Sequence, residues 1–141
     1  MKRLLLLIPA IAAVVSAGAC VVAAQSSSAA QVTAYYFHGT FRCYTCSNME
    51  KFSKEAIETN FKDALGAGKL RFKAVNVEER GNEHFINDYK LYTKSLVLSL
   101  TKDGREVRSK NLEKIWELSR NKQRFIDYVT NEVNAFMKDE E

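Results

Sequence analysis

A chain of 141 residues with 46% hydrophobic and 27% charged side chains can fill one domain core, and it is too short for several. The formal net charge is +4, but Lys2 and Arg3 supply two of those charges; beyond residue 30, 19 basic residues face 17 acidic ones, a net of +2. These counts exclude a fold that depends on disulfides or a structural metal for its core, and without a basic run interleaved with aromatics they argue against nucleic acid as a partner.

The first thirty residues read as a targeting segment. Lys2 and Arg3 precede the apolar run from Leu4 to Val15, which only Pro9 interrupts, and small residues follow, as in a secretory signal peptide. Cleavage fits after Ala24, with Val22 at the −3 position, or after Ala30, with Ser28 there. The apolar run extends through Val22, long enough for an uncleaved membrane anchor as the alternative. Ala17-Gly18-Ala19-Cys20 also resembles a bacterial lipoprotein signal, with Ala17 where a large apolar residue is usual. Cys20 is therefore either a lipidation site or a small residue in an apolar leader. Gln25 to Ala30 makes a polar spacer. The expected organisation is a leader over 1–30 and one domain over 31–141, touching membrane only through the leader and facing an oxidising compartment.

In the domain, Gln31 to Phe37 has the aromatic and β-branched content of a buried strand, and His38-Gly39-Thr40 breaks it. Cys43-Tyr44-Thr45-Cys46 follows. Met49, Phe52, Ala56, Ile57, Phe61, Ala64 and Leu65 then draw one helical stripe that Gly66-Ala67-Gly68 ends. Leu70 to Val77 is a second strand, and Phe85 and Tyr89 pair on a short helix over Asn82–Tyr89. Ser95 to Leu100 is a third strand; Lys102-Asp103-Gly104-Arg105 has hairpin chemistry and returns Glu106-Val107-Arg108 antiparallel. Asn111 is expected to cap a helix carrying Leu112, Ile115, Trp116 and Leu118, and a last helix starts near Asn121 with Phe125, Tyr128, Val129, Val133 and Phe136 on one face. The order predicts an α/β fold with a central mixed sheet of about four strands covered by helices on both faces.

The chemistry concentrates at Cys43 and Cys46. A cysteine at a helix start faces unpaired N–H groups and the positive end of the helix dipole, both of which favour the thiolate, the attacking species. Cys43 is expected to be the exposed nucleophile and Cys46, one turn inward, the resolving thiol, with Arg42 adding positive charge and His38 hydrogen-bonding locally or relaying protons. Two alternatives stand beside this. Cys43, Cys46, His38 and Met49 include soft ligands for copper(I), and the cysteines with His38 could take zinc, although the second ligand pair of the usual zinc signature is absent. An inert structural disulfide in an interaction module is the other.

A Cys-x-x-Cys between the first strand and first helix of this element order resembles the thioredoxin fold. The resemblance implies a redox-active Cys43–Cys46 disulfide with no further cofactor, and a protein thiol or disulfide as partner. Thioredoxin-like proteins carry a cis-proline at the start of the third strand, facing the dithiol; here alignment places Ser95 there, after Lys94, and the only proline is Pro9. A trans bond is expected, since a cis bond without proline costs about 2.5–4 kcal/mol. Ser95 would then offer a backbone N–H and a hydroxyl to the Cys43 thiolate or a partner.

Tyr35-Tyr36-Phe37-His38-Gly39-Thr40, Arg42-Cys43-x-x-Cys46, Asn76-Val77-Glu78, Asn82-x-x-Phe85, Asp88-Tyr89-x-Leu91 and Asn111-Leu112-x-x-Ile115-Trp116 resemble the thioredoxin-like group known as nitrophenyl compound nitroreductase subunits. Nitro reduction needs a flavin or similar carrier, and the chain has no phosphate-cradling glycine motif. The resemblance therefore implies electron transfer with a partner, such as a membrane thiol carrier of the cytochrome-biogenesis type.

Overall fold

The computed structural model describes residues 30–138; the leader reading and Cys20 lie outside the described residues. The first strand, β1 (Gln31–His38), is buried on both faces and takes a central place. It pairs in parallel with β2 (Leu70–Asn76) and antiparallel with β3 (Ser95–Lys102), and β3 pairs antiparallel with β4 (Arg105–Asn111). The sheet order is β2-β1-β3-β4. The two inner strands carry the apolar runs, whereas the edges carry Arg71, Lys73, Arg108 and Lys110, charges that discourage pairing with another chain.

Alternation along the inner strands divides the core. Val32, Ala34 and Tyr36 oppose Leu100, Leu98 and Leu96 and join one cluster with Met49 and Ile57 of α1 (Tyr44–Asn60) and Phe125, Val129 and Val133 of the last helix, Lys122–Lys138. Phe52 and Phe125 meet edge to face at 5.7 Å between ring centres. On the other face, Tyr35, Phe37 and Val97 pack against Phe85, Tyr89 and Leu91, around the short helix His84–Asp88. Helices thus cover both faces of a four-stranded mixed sheet, and the dithiol joins the end of the central strand β1 to the first helix. This is a thioredoxin-like α/β fold.

Three local expectations are corrected. The stripe from Met49 to Leu65 is two helices, α1 and α2 (Lys62–Gly66), because Phe61 leaves helical geometry at φ −127°, ψ 35°. At that break Asn60 Nδ2 donates to the Ala56 carbonyl at 2.9 Å and to Thr130 at 3.1 Å, which ties the end of α1 to the last helix while Phe61 buries its ring. Asn111 ends β4 rather than capping a helix. The Leu112 N–H donates to Leu96 O at 2.8 Å, so the sheet ladder holds this segment, and the next helix shrinks to α4 (Ile115–Leu118). The α3 helix (His84–Asp88) is likewise shorter than the expected Asn82–Tyr89. In contrast, Asn121 does start α5 (Lys122–Lys138), its side chain accepting from the Arg124 N–H at 3.1 Å. The β3–β4 turn has Asp103 at φ 51° and Gly104 at φ 74°, the left-handed pair that a two-residue hairpin demands.

Phe125 joins α5 to both α1 and the sheet and is fully buried. Phe125→Ala should cost about 3–5 kcal/mol in urea unfolding; a loss under about 1 kcal/mol would show that the α1–α5 layer does not share the core.

Candidate functional site

The chain leaves β1 at His38, turns through Gly39 to Arg42, and enters α1 with Cys43 as its N-cap. Cys43 is extended (φ −79°, ψ 161°), and its Sγ accepts the Cys46 N–H at 3.1 Å. An oxygen of Ser, Thr, Asp or Asn ordinarily does this at a helix start. Here the capping atom is the Cys43 sulfur. No carboxylate stands in the first turn to oppose negative charge on it. Cys43 and Cys46 are joined as a disulfide, with Cα atoms 5.0 Å apart. Cys43 is half-buried and Cys46 is only 2% exposed, so Cys43 is the more accessible of the two.

The loop before Cys43 is held from the end of β2. The Val77 N–H donates to His38 O at 2.9 Å, Asn76 Nδ2 to Thr40 Oγ1 at 3.1 Å, and the Thr40 N–H to the Glu78 carboxylate at 2.9 Å. Asn82 in turn donates to Asn76 O at 2.9 Å. A Cβ on residue 39 would lie 2.5 Å from Glu78 Oε1, so glycine there lets the carboxylate approach. The Thr40 N–H and then its hydroxyl hold the Glu78 carboxyl below the ordinary glutamate range, with smaller help from Lys94 and His38.

Arg42 and His38 meet beside the dithiol. The Gly39 carbonyl can only accept, so His38 Nδ1, 2.9 Å away, donates to it, and Nε2 is left to accept from Arg42 Nη1 at 3.3 Å. Arg42 also pairs with Glu50 on α1. The positive charge expected of Arg42 therefore comes with a carboxylate partner. Ser95 is buried at the start of β3 opposite Phe37, and no peptide bond is cis among the described residues. Its hydroxyl donates to Thr93 O at 3.0 Å, so the expected side-chain donor for a thiolate is already engaged. Met49 is fully buried in the core cluster, a packing residue rather than a surface ligand. Among the described residues, no group of three or more His, Cys, Asp or Glu side chains is placed to hold a metal ion.

Sequence reading missed three contributors. Tyr36 on β1 is fully buried, and its hydroxyl donates to the Cys46 carbonyl at 2.7 Å. A tyrosine in a buried strand needs such a partner, which was the available signal. Glu78 anchors the loop, as described. Trp116 Nε1 donates to Lys94 O at 2.9 Å and fixes the backbone just before Ser95. Exposed aromatic rings also gather at this end of the sheet: Phe41 is 77% exposed, Tyr44 84% and Tyr92 94%.

No family model matches the chain, and neither does any curated protein. The resemblance to the nitrophenyl compound nitroreductase subunits therefore gains no support. Among solved structures, the chain is similar to oxidized thioredoxin O2 from Arabidopsis thaliana, with 14% identity over 67% of this chain and 74% of that one, at a TM-score of 0.39. It is also similar to a malarial protein, with 17% identity over 57% of this chain and 80% of that one, at a TM-score of 0.36. The fold assignment rests on the strand order and on the place of the dithiol. A Cys-x-x-Cys disulfide on that fold fits a thiol–disulfide oxidoreductase.

The Glu78 anchor carries a pH signature. A carboxyl whose pKa is lowered on folding stabilises the folded state above its ordinary value, and that stabilisation is lost as pH falls through the lowered value. Glu78→Gln should therefore unfold at lower urea than wild type at neutral pH, with the gap closing as pH falls below the ordinary glutamate range. A gap independent of pH would show that the charge on Glu78 is not what holds the loop.

Proposed function

We propose that this protein is an exported thiol–disulfide oxidoreductase or electron carrier whose working group is the Cys43–Cys46 dithiol. The observation that carries the reading is the asymmetry of the pair. Cys43 is accessible and caps a helix, where its thiolate is stabilised, and Cys46 is buried one turn behind it. An inert disulfide has no need of a helix-start position, and the soft-metal alternative keeps only the cysteines, since Met49 is in the core and both His38 nitrogens hydrogen-bond within the protein.

In the reducing direction, the Cys43 thiolate attacks one sulfur of a partner disulfide. The partner S–S bond breaks, its other sulfur leaves as a thiolate, and a mixed disulfide joins Cys43 to the partner. The Cys46 thiolate then attacks Cys43 Sγ, releases the partner's second thiolate and closes the Cys43–Cys46 bond. Two electrons pass to the partner, whose sulfurs take up two protons. The oxidising direction reverses each step, and no further cofactor is required.

The partner is a protein, and the exposed Phe41 and Tyr44 on either side of Cys43 in the chain suit an apolar protein surface. A membrane thiol carrier of the cytochrome-biogenesis type would complete the electron path. Export is supported by the leader pattern in residues 1–30.

Insulin reduction with dithiothreitol as electron source tests the reading. The wild type should accelerate it, and Cys43→Ser should fall to the uncatalysed rate. Equal rates for wild type and Cys43→Ser would remove the oxidoreductase reading.

A further inference from the structure

The dithiol turn is closed from below by one hydroxyl. Tyr36 projects from the buried face of β1 into the core, yet its Oη ends 2.7 Å from the Cys46 carbonyl. That carbonyl belongs to the peptide unit whose N–H, on Ser47, donates to the Cys43 carbonyl at 3.0 Å. The bonds therefore run in series: Tyr36 hydroxyl to Cys46 carbonyl, then Ser47 N–H to Cys43 carbonyl. Hydrogen bonds arranged head to tail through a peptide polarise one another, so a donor on the carbonyl strengthens the N–H bond that follows. The same turn carries the Cys46 N–H aimed at Cys43 Sγ.

We propose that Tyr36 is a positioning residue for the dithiol: by clamping the Cys46 carbonyl it holds the first turn of α1 so that the Cys46 N–H stays on the Cys43 sulfur, and it thereby favours the Cys43 thiolate. Tyr36 bonds to backbone and acts through the Cys46–Ser47 peptide. Burial pushes its hydroxyl up to about 12, with Arg42 opposing, which keeps it a protonated donor across the working pH range. The other charged or titratable groups beside the turn, His38, Arg42 and Glu50, bond to one another or to backbone and are left in place when the Tyr36 hydroxyl is removed.

This inference rests on the thiol-exchange reading above, and the test separates the two. Reduced wild type and Tyr36→Phe would be alkylated with iodoacetamide across pH, with the site mapped by mass spectrometry, and both would be equilibrated with glutathione. The ring stays packed in Tyr36→Phe. Its Cys43 should lose about two- to fivefold of its thiolate at neutral pH, part of the range that one net hydrogen bond spans, and its alkylation profile should move upward. Incorporation of 3-fluorotyrosine at position 36, a stronger donor, should move the profile downward and keeps the test informative if Tyr36→Phe does not fold. Profiles unchanged in both variants, with glutathione exchange intact, would overturn the role of Tyr36 alone. Failure of the wild type to exchange with glutathione would overturn the oxidoreductase reading and this inference with it.

Discussion

The structure turns on one interaction, the Cys46 N–H donated to the sulfur of Cys43 at the start of α1. A helix start presents N–H groups that no residue of its own helix can satisfy, and a side-chain acceptor at the N-cap meets that need. Placing a cysteine there makes local helix stability and thiol chemistry the same contact. A thiolate is a far better acceptor than a thiol, so the bond that caps the helix is strongest in the form that attacks a disulfide.

The rest of the fold keeps that contact in place. β1 is buried on both faces and delivers the chain to the cap at its C-terminal end, while Tyr36 ties the first helical turn back to the strand. From the side, Asn76 and Glu78 at the end of β2 fasten Thr40, and Arg42 links His38 to Glu50 across the loop and helix. The loop between strand and dithiol is therefore anchored from the end of β2 by residues distant in sequence and, next to Cys43, by Glu50 of α1. Such anchoring limits how far the two sulfurs can drift when the bond between them opens.

What was legible in the sequence followed from local rules. Runs of apolar, aromatic and β-branched residues marked β1 and β3, Asp103-Gly104 marked the hairpin, and the Cys-x-x-Cys between strand and helix marked the site. The misreadings came where long-range contacts outcompeted local patterns. The stripe past Asn60 continued in sequence, but the Asn60 side chain took a carbonyl of its own helix and reached across to Thr130. Asn111 looked like a cap because the ladder bond from Leu112 to Leu96 spans sixteen positions and leaves no local trace. At the site, Ser95 and Arg42 were placed by pattern, but their partners Thr93 and Glu50 could be chosen only by the folded geometry. Tyr36 was missed for the same reason: as a core residue it looked apolar, and its hydroxyl found its acceptor only once α1 lay over β1.

We propose that the helix start makes Cys43 the reactive member of the pair. The most direct measurement is the rate of alkylation of each cysteine in the reduced wild-type protein as a function of pH. Cys43 should react first, with a half-point below the ordinary cysteine value, and Cys46 should lag because it is buried. Equal rates at the two sites, or a Cys43 half-point at or above the ordinary value, would contradict it.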